Sequence, residues 1–152
     1  MLTFSSAFID QIDGLPLHPL VVHAVVVLLP LASLGLIAIS FVPRWSVRFG
    51  PLVWPVALVS LISAFLADQS GRELAKSVGV PAVHMQAGEQ VKFVAAGVLV
   101  MSLVVWLLDR RATRRKRSIW EKILASVAIA VSLLAIYVTF KAGDSGARAV
   151  WG

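Results

Sequence analysis

The sequence predicts an all-α integral membrane protein, a bundle of four transmembrane helices with both termini on the extracytoplasmic side. Hydrophobic residues make up 59% of the 152-residue chain, and the mean hydropathy is +0.87, above the profile of a soluble domain. Four uncharged stretches approach the roughly 20 residues that a helix needs to cross a bilayer. Basic residues are concentrated in two of the loops between these stretches.

The first helix is predicted over residues 17–43. Pro19 can open it, because the N–H that proline lacks has no partner in a first helical turn. No Lys or Arg precedes Arg44, and the apolar run is too long for a signal peptide, so we expect the helix to remain in the mature protein. His18 is predicted at its N-cap. His23 points about 140° around the helix axis from His18.

The remaining helices are predicted over residues 49–67, 81–108 and 120–141, with a short interfacial helix on the outer surface over residues 70–78. Pro81 opens the third helix as Pro19 opens the first. Each proline is followed about one turn later by a histidine, His23 or His84. Two related hairpins are one interpretation of this pattern, and the rise of about 1.5 Å per residue would bring both imidazoles to one depth.

The charged residues divide unequally between the two sides that four spans create. The loops after the first and third helices hold nine cations and two carboxylates: Arg44, Arg48, Arg110, Arg111, Arg114, Arg115, Lys116, Arg117, Lys122, Asp109 and Glu121. The other side holds five cations and six carboxylates: Arg72, Lys76, Lys92, Lys141, Arg148, Asp10, Asp13, Asp68, Glu73, Glu89 and Asp144. The positive-inside rule therefore places the basic loops in the cytoplasm and both termini outside.

The basic run over residues 110–117 has two interpretations. It could contact nucleic acid, or it could fix the topology while resting against anionic lipid headgroups. Six cations between two spans are expected of a topology determinant. We therefore expect a lipid bilayer partner and no nucleic-acid partner.

The three histidines all fall near the predicted outer edge of the membrane, where ionisable residues are candidates for a functional site. His84 shares a helix face with three small residues, Gly88, Ala95 and Ser102. Small residues allow close packing of helices, and they also leave room for a planar macrocycle beside a ligating histidine. Because the chain has no cysteine, thiolate-held iron-sulfur clusters are excluded.

Three interpretations of the histidines follow. In the first, His23 and His84 are the axial ligands of a b-type haem, Gly88 gives the macrocycle room, and His18 caps its helix or contacts the propionates. In the second, the histidines only form hydrogen bonds between packed helices. In the third, a Zn or Cu site draws on the three histidines and on outer carboxylates. Those carboxylates are Asp68, Glu73, Glu89 and Asp144.

Asp144 and Ser145 lie between Gly143 and Gly146, which predicts a tight turn with either residue capping a short final helix. Alternatively, Asp144 orients a histidine ring through its N–H. The sequence contains no hydrolase motif and no phosphate loop in its required setting. An electron carrier or accessory subunit is therefore favoured over an enzyme.

Four segments carry a resemblance to a known family: LPLHPLVVH at residues 15–23, SGREL at 70–74, HMQAG at 84–88 and GDSGA at 143–147. Together they resemble the bacterial membrane family called domain of unknown function 2231 over nearly the whole chain. The resemblance implies a four-helix protein of the bacterial inner membrane. Some relatives look like fusions to Rieske-type or cytochrome c modules, which implies redox work at the outer face.

Many members of that family carry histidine where this chain has Asp144, which favours a two-histidine haem over a three-histidine metal site. The leading hypothesis is a small b-type redox protein or accessory subunit that exchanges electrons between the membrane quinone pool and an extracytoplasmic partner. The competing hypothesis is a structural or assembly subunit of a larger membrane complex. A homo-oligomer is compatible with either hypothesis.

Overall fold

The fold is described from a computed structural model, which covers residues 11–12, 15–78, 82–111 and 116–151. Side chains are described for residues 18–73, 75, 85–111 and 116–148. Every structural feature given below lies within these parts of the chain.

Four long helices make up the structure. They are α1 (Leu17–Phe41), α2 (Pro43–Val78), α3 (Ala82–Arg111) and α4 (Ile119–Trp151). Ahead of them, two strands of two residues each, β1 (Gln11–Ile12) and β2 (Leu15–Pro16), pair antiparallel. The predicted all-helical fold class is confirmed.

The helices form a bundle in which each packs against its neighbours in the chain. Contacts between α1 and α4 close the ring, while α1 and α3 meet more weakly across its diagonal. The start of α1, the end of α2, the start of α3 and the end of α4 form one end, named here the histidine end after His18 and His23. The opposite end contains Arg117 and is named the arginine end.

All four helices are long and apolar enough to cross a membrane, with mean hydropathies of 2.0 to 2.5 in their best windows. Large apolar side chains cover the outside of the bundle, among them Phe41 at 69% exposed, Phe93 at 66% and Phe140 at 74%. In water an apolar surface of this kind would make protein molecules associate with one another. In a bilayer it faces lipid, and the protein is accordingly a multi-pass membrane protein.

The interior of the bundle is built from small residues. Ala57, Ala95, Ala128 and Ala135 are fully buried, and Leu29 and Leu36 are among the few large side chains there. Buried hydroxyls bond to their own helices: Ser132 donates to Ala128 O at 2.8 Å and Thr139 to Ala135 O at 2.7 Å. Small residues let the backbones approach closely, which is how helices associate in lipid without a hydrophobic driving force.

Two helices extend beyond the apolar stretches that predicted them. Pro43 opens α2 immediately after α1, and the Val42 carbonyl accepts the Trp45 N–H at 2.9 Å, so the basic segment up to Arg48 is helical. At its other end α2 includes residues 70–78, which therefore continue this helix. Similarly, α4 continues through Gly143 and Gly146 to Trp151, where a turn was expected. Helical hydrogen bonds lie within the helix, so leaving the hydrocarbon region need not end it.

A buried ion pair joins three segments at the arginine end. The Arg117 guanidinium donates from Nε to Asp109 Oδ1 at 2.9 Å and from Nη2 to Asp109 Oδ2 at 2.6 Å. It also donates to the carbonyls of Ile39, at 3.1 Å, and Ser40. Those carbonyls belong to the last turn of α1, where the helix offers no further backbone N–H groups to bond with them. Arg117 therefore caps α1 and ties it to α3.

Candidate ligand site at the histidine end

His18 lies in the first turn of α1, and its ring packs on α2. The Nδ1 atom lies 3.1 Å from the Ala67 carbonyl and 3.2 Å from the Ser70 hydroxyl. A carbonyl can only accept, so Nδ1 carries the proton, and Nε2 of the neutral ring is then an acceptor. Gly71 makes this contact possible, because a Cβ there would lie 2.9 Å from His18 Cε1.

Next to His18, a group of charged side chains joins α2 to α3. Asp68 Oδ2 accepts from Lys92 Nζ at 2.9 Å, and both side chains are 13% exposed. Arg72 bonds to Asp68 at 3.3 Å and to Glu89 at 3.3 Å. The Asp68 carboxylate at the edge of the cavity is thus neutralised by two cations, Lys92 and Arg72.

A cavity of about 70 Å³ lies between all four helices at this end. Its walls are mostly valine and alanine, with three polar residues: His18 from α1, Asp68 from α2 and Thr139 from α4. The volume has room for on the order of five water-sized groups. An apolar cavity with a few converging polar groups is the usual form of a small-molecule site.

Two glycines that line this cavity face open space. A Cβ built on Gly88 of α3 or on Gly143 of α4 would meet nothing within 4 Å. Elsewhere in the bundle glycines allow close packing. A Cβ added at Gly35 would lie 3.0 Å from Val53, and one added at Gly97 would lie 3.1 Å from Val131. At Gly88 the missing side chain instead enlarges the cavity, while Gly143 is exposed and the space beside it is shared with the outside of the bundle.

The cavity adjoins a groove of about 380 Å³ on the outside of the bundle, between α1 and α4. Val26, Thr139 and Gly143 line both spaces, so the groove meets the cavity at these residues. Pro30 lies in the groove wall and has no N–H to donate to the Val26 carbonyl one turn earlier. The cavity and the groove therefore lie on two sides of one shared wall.

His23 lies on a different face of α1 and is exposed. Its Nδ1 bonds to the Pro19 carbonyl at 2.6 Å, so the proton is on Nδ1. This arrangement presents Nε2 outward, as in histidines that bind metal while a backbone carbonyl holds the other nitrogen. His23 is absent from the walls of the cavity.

The other predicted site residues are placed as follows. Gly88 lines the cavity, and the side chain of His84 lies outside the described residues. Asp144 lines the groove and accepts from Arg148 at 2.9 Å, while the Ser145 hydroxyl donates to Ala142 O at 2.9 Å. Among the described residues, no group of three or more His, Asp or Glu side chains could hold a metal ion.

Of these cavity residues, Asp68 was predicted only as a carboxylate of a possible metal site and Gly143 only as part of a turn, and Thr139 was not predicted at all. Asp68 was recognisable as the carboxylate that ends the second apolar stretch, and Ser70-Gly71 follow it where His18 packs. Thr139 gave no signal of this kind, because a lone threonine in an apolar helix usually bonds to its own backbone, as this one does. Its position beside the groove is a product of tertiary packing.

One comparison with known proteins gives a match. A family model described as "Predicted membrane protein (DUF2231)" matches residues 14–152. No curated protein and no solved structure matches the chain.

Proposed function

Because the chain belongs to the DUF2231 family of predicted membrane proteins, whose description names no activity, we propose its function from the site: a redox accessory subunit that binds a small membrane-soluble ligand at the histidine end. The observation that carries this proposal is the open space beside Gly88 in the wall of the cavity, together with that beside Gly143, an exposed residue that lines both the cavity and the groove. Alanine is preferred to glycine in a helix by about 1 kcal/mol. Glycine lowers the stability of a helix at these two positions, and no neighbouring atom requires it there. A ligand bound in the cavity would explain both glycines.

The polar groups of the cavity give the ligand an orientation. His18 Nε2, the Asp68 carboxylate and the Thr139 hydroxyl are spread over three helices, and the surfaces between them are apolar. A ligand with a compact polar head and an apolar body matches this distribution. Membrane-soluble redox molecules have this form, which is why we assign a redox role rather than a purely structural one.

The histidine end is proposed to face the extracytoplasmic side of the bacterial inner membrane. The arginine end carries most of the basic residues, and the positive-inside rule places such an end in the cytoplasm. The ligand site would then lie in the outer leaflet, within reach of an extracytoplasmic redox partner.

This orientation predicts the outcome of cysteine labelling in intact cells. The chain has no cysteine, so single cysteines can be placed at two exposed positions, Gln86→Cys at the histidine end and Lys116→Cys at the arginine end. A membrane-impermeant maleimide is expected to label Gln86→Cys directly, and Lys116→Cys only after permeabilisation. The reverse pattern would place the site on the cytoplasmic side.

A b-type haem is a second candidate, favoured by the geometry of His23. With Nδ1 fixed by the Pro19 carbonyl, Nε2 is oriented as an iron ligand would be. His84, on α3, is the proposed second ligand. The cavity does not fit this haem, because His23 is not among the residues that line it. A haem on His23 would lie against the surface of the bundle.

The two candidates separate in one preparation. Detergent-purified protein, made with ample haem supply, is analysed by oxidised and dithionite-reduced spectra and by mass spectrometry of its organic extract. The leading proposal expects a lipophilic redox-active molecule near one per chain and no Soret band. A Soret band that disappears in His23→Ala would support the haem candidate instead. An extract and spectrum without any redox-active molecule would contradict both and favour an assembly subunit.

A further inference from the structure

We infer that the groove between α1 and α4 binds one phospholipid whose headgroup carries both a phosphate and a primary ammonium, a phosphatidylethanolamine. The groove lies on the lipid-facing side of the wall that it shares with the cavity, so this inference goes beyond the proposed function and does not depend on it. Three observations carry it: the shape of the groove, the ion pair at one end of it, and the hydrogen-bonding groups that this ion pair leaves available.

The groove has the form of an apolar channel on the outside of the bundle. Its walls are mostly apolar or small side chains of α1 and α4, among them Val26, Pro30, Ile136, Phe140, Gly143 and Ala147. From Ile136 to Asp144 it follows α4 for about 12 Å, most of the roughly 15 Å that one leaflet contributes to the hydrocarbon core. A channel of this length, with a volume of about 380 Å³, fits an acyl chain.

A pair of exposed charges lies where the groove reaches the histidine end. Asp144 lines the groove one helical turn beyond Phe140, and its Oδ2 accepts from Arg148 Nε at 2.9 Å. The side chains of Asp144 and Arg148 are 47% and 78% exposed, so a headgroup can reach both. A lipid whose chain lies in the groove would therefore bring its headgroup to a carboxylate and a guanidinium at once.

The ion pair leaves hydrogen-bonding capacity on both of its partners. Among the described side chains, Asp144 and Arg148 bond to each other through Oδ2 and Nε alone. The two Nη groups of Arg148 remain as donors for a phosphate, and Oδ1 of Asp144 remains as an acceptor for an ammonium. A headgroup with one phosphate and one ammonium matches this pair charge for charge.

The same two charges discriminate between phospholipids. Phosphatidylcholine carries a quaternary ammonium, which has no N–H to donate to Asp144. Phosphatidylglycerol carries a net negative charge, which the Asp144 carboxylate repels. The primary ammonium of phosphatidylethanolamine both donates to the carboxylate and balances its charge, so this lipid should be preferred.

The test is native mass spectrometry of delipidated protein titrated with phosphatidylethanolamine, phosphatidylcholine or phosphatidylglycerol, all with the same acyl chains. The first phosphatidylethanolamine is expected to bind about 5-fold more tightly than either other lipid, the upper range for an ion pair at an exposed position. A phospholipid adduct is recognised by its mass, so it is told apart from the small molecule proposed for the cavity.

Charge variants test the recognition of the headgroup. Asp144→Asn keeps the size of the side chain and removes its charge. It should bind phosphatidylethanolamine no more tightly than phosphatidylcholine, and phosphatidylglycerol more tightly than the wild type does. Glu89→Gln removes an exposed carboxylate at the same end of the bundle but outside the groove, and this matched control should keep the wild-type preference.

Size variants test the groove itself. A side chain at position 143 extends into open space, so Gly143→Leu should fold, and it should weaken the binding of all three lipids at least 5-fold by filling the groove. Ala130→Leu, at an exposed position of the same helix away from the groove, is the matched control and should bind lipid as the wild type does.

Each contrary outcome removes a defined part of the proposal. Equal affinity for phosphatidylethanolamine and phosphatidylcholine, or a preference that Asp144→Asn retains, would overturn the assignment of the headgroup. Wild-type lipid binding by Gly143→Leu would overturn the groove as the site. A dimer that is lost in Gly143→Leu would identify a second copy of the chain as the occupant and would overturn the lipid. The proposed function is tested by the redox-active extract, so it stands or falls separately.

Discussion

Replacing Arg117 with alanine is expected to destabilise the protein by about 3–5 kcal/mol, the range for removing one partner of a buried ion pair. The side chains of Arg117 and Asp109 are 10% and 4% exposed, so alanine leaves a buried carboxylate without its cation. It also leaves the last carbonyls of α1 without their donor. Unfolding in mixed micelles with increasing SDS measures the change in free energy.

Two controls isolate the ion pair. Lys116→Ala removes the neighbouring exposed cation and should change stability little. The double variant Asp109→Ala/Arg117→Ala should lose much less than the two single variants together, because neither charge is then left buried alone. Additive losses would show that Arg117 acts through the α1 carbonyls rather than through Asp109.

Replacing Gly50 with alanine is expected to have the second-largest effect, a net destabilisation of about 1–3 kcal/mol from overpacking. A Cβ at Gly50 would lie 2.3 Å from Cδ1 and 2.7 Å from Cγ of Trp106. Trp106 is not free to move aside, because its ring stacks on Trp54 with 6.4 Å between the ring centroids, and the Arg110 guanidinium carbon lies over the Trp106 ring at 4.9 Å from its centroid. The same unfolding assay measures the effect.

The background variant Trp106→Leu provides the check on this explanation. With the indole removed, Gly50→Ala should become neutral or stabilising by up to about 1 kcal/mol, the difference in helix propensity. Destabilisation of the same size in both backgrounds would mean that the alanine at position 50 contacts an atom other than those of Trp106.

Because Gly88 faces open space, Gly88→Ala should not be destabilising in either background.

The sequence was sufficient for the fold because the bilayer leaves few alternatives. Four long apolar stretches must be helices, since lipid offers no partner for backbone groups. The ends of the helices were less predictable: hydropathy locates the hydrocarbon region, whereas α2 and α4 continue through Arg72 and Asp144 as ordinary helix in the aqueous layer.

The site was only partly predictable for a different reason. Helical spacing correctly separated the faces of His18 and His23, but it does not say which face meets a neighbouring helix. In the structure His18 turns inward onto Gly71 and His23 turns outward. Arg117 shows the same limitation, since a buried residue that caps α1 looks in sequence like one more cation of a basic loop.

The central claim is that the cavity at the histidine end holds a ligand, and native mass spectrometry of Gly88→Leu tests it most directly. The leucine extends into open space, so the variant should fold, and it fills the cavity without touching the groove. Gln90→Leu, at an exposed position of the same helix, is the control. We predict a bound small molecule on the wild type and on Gln90→Leu, and none on Gly88→Leu. Equal occupancy in all three proteins would contradict the account.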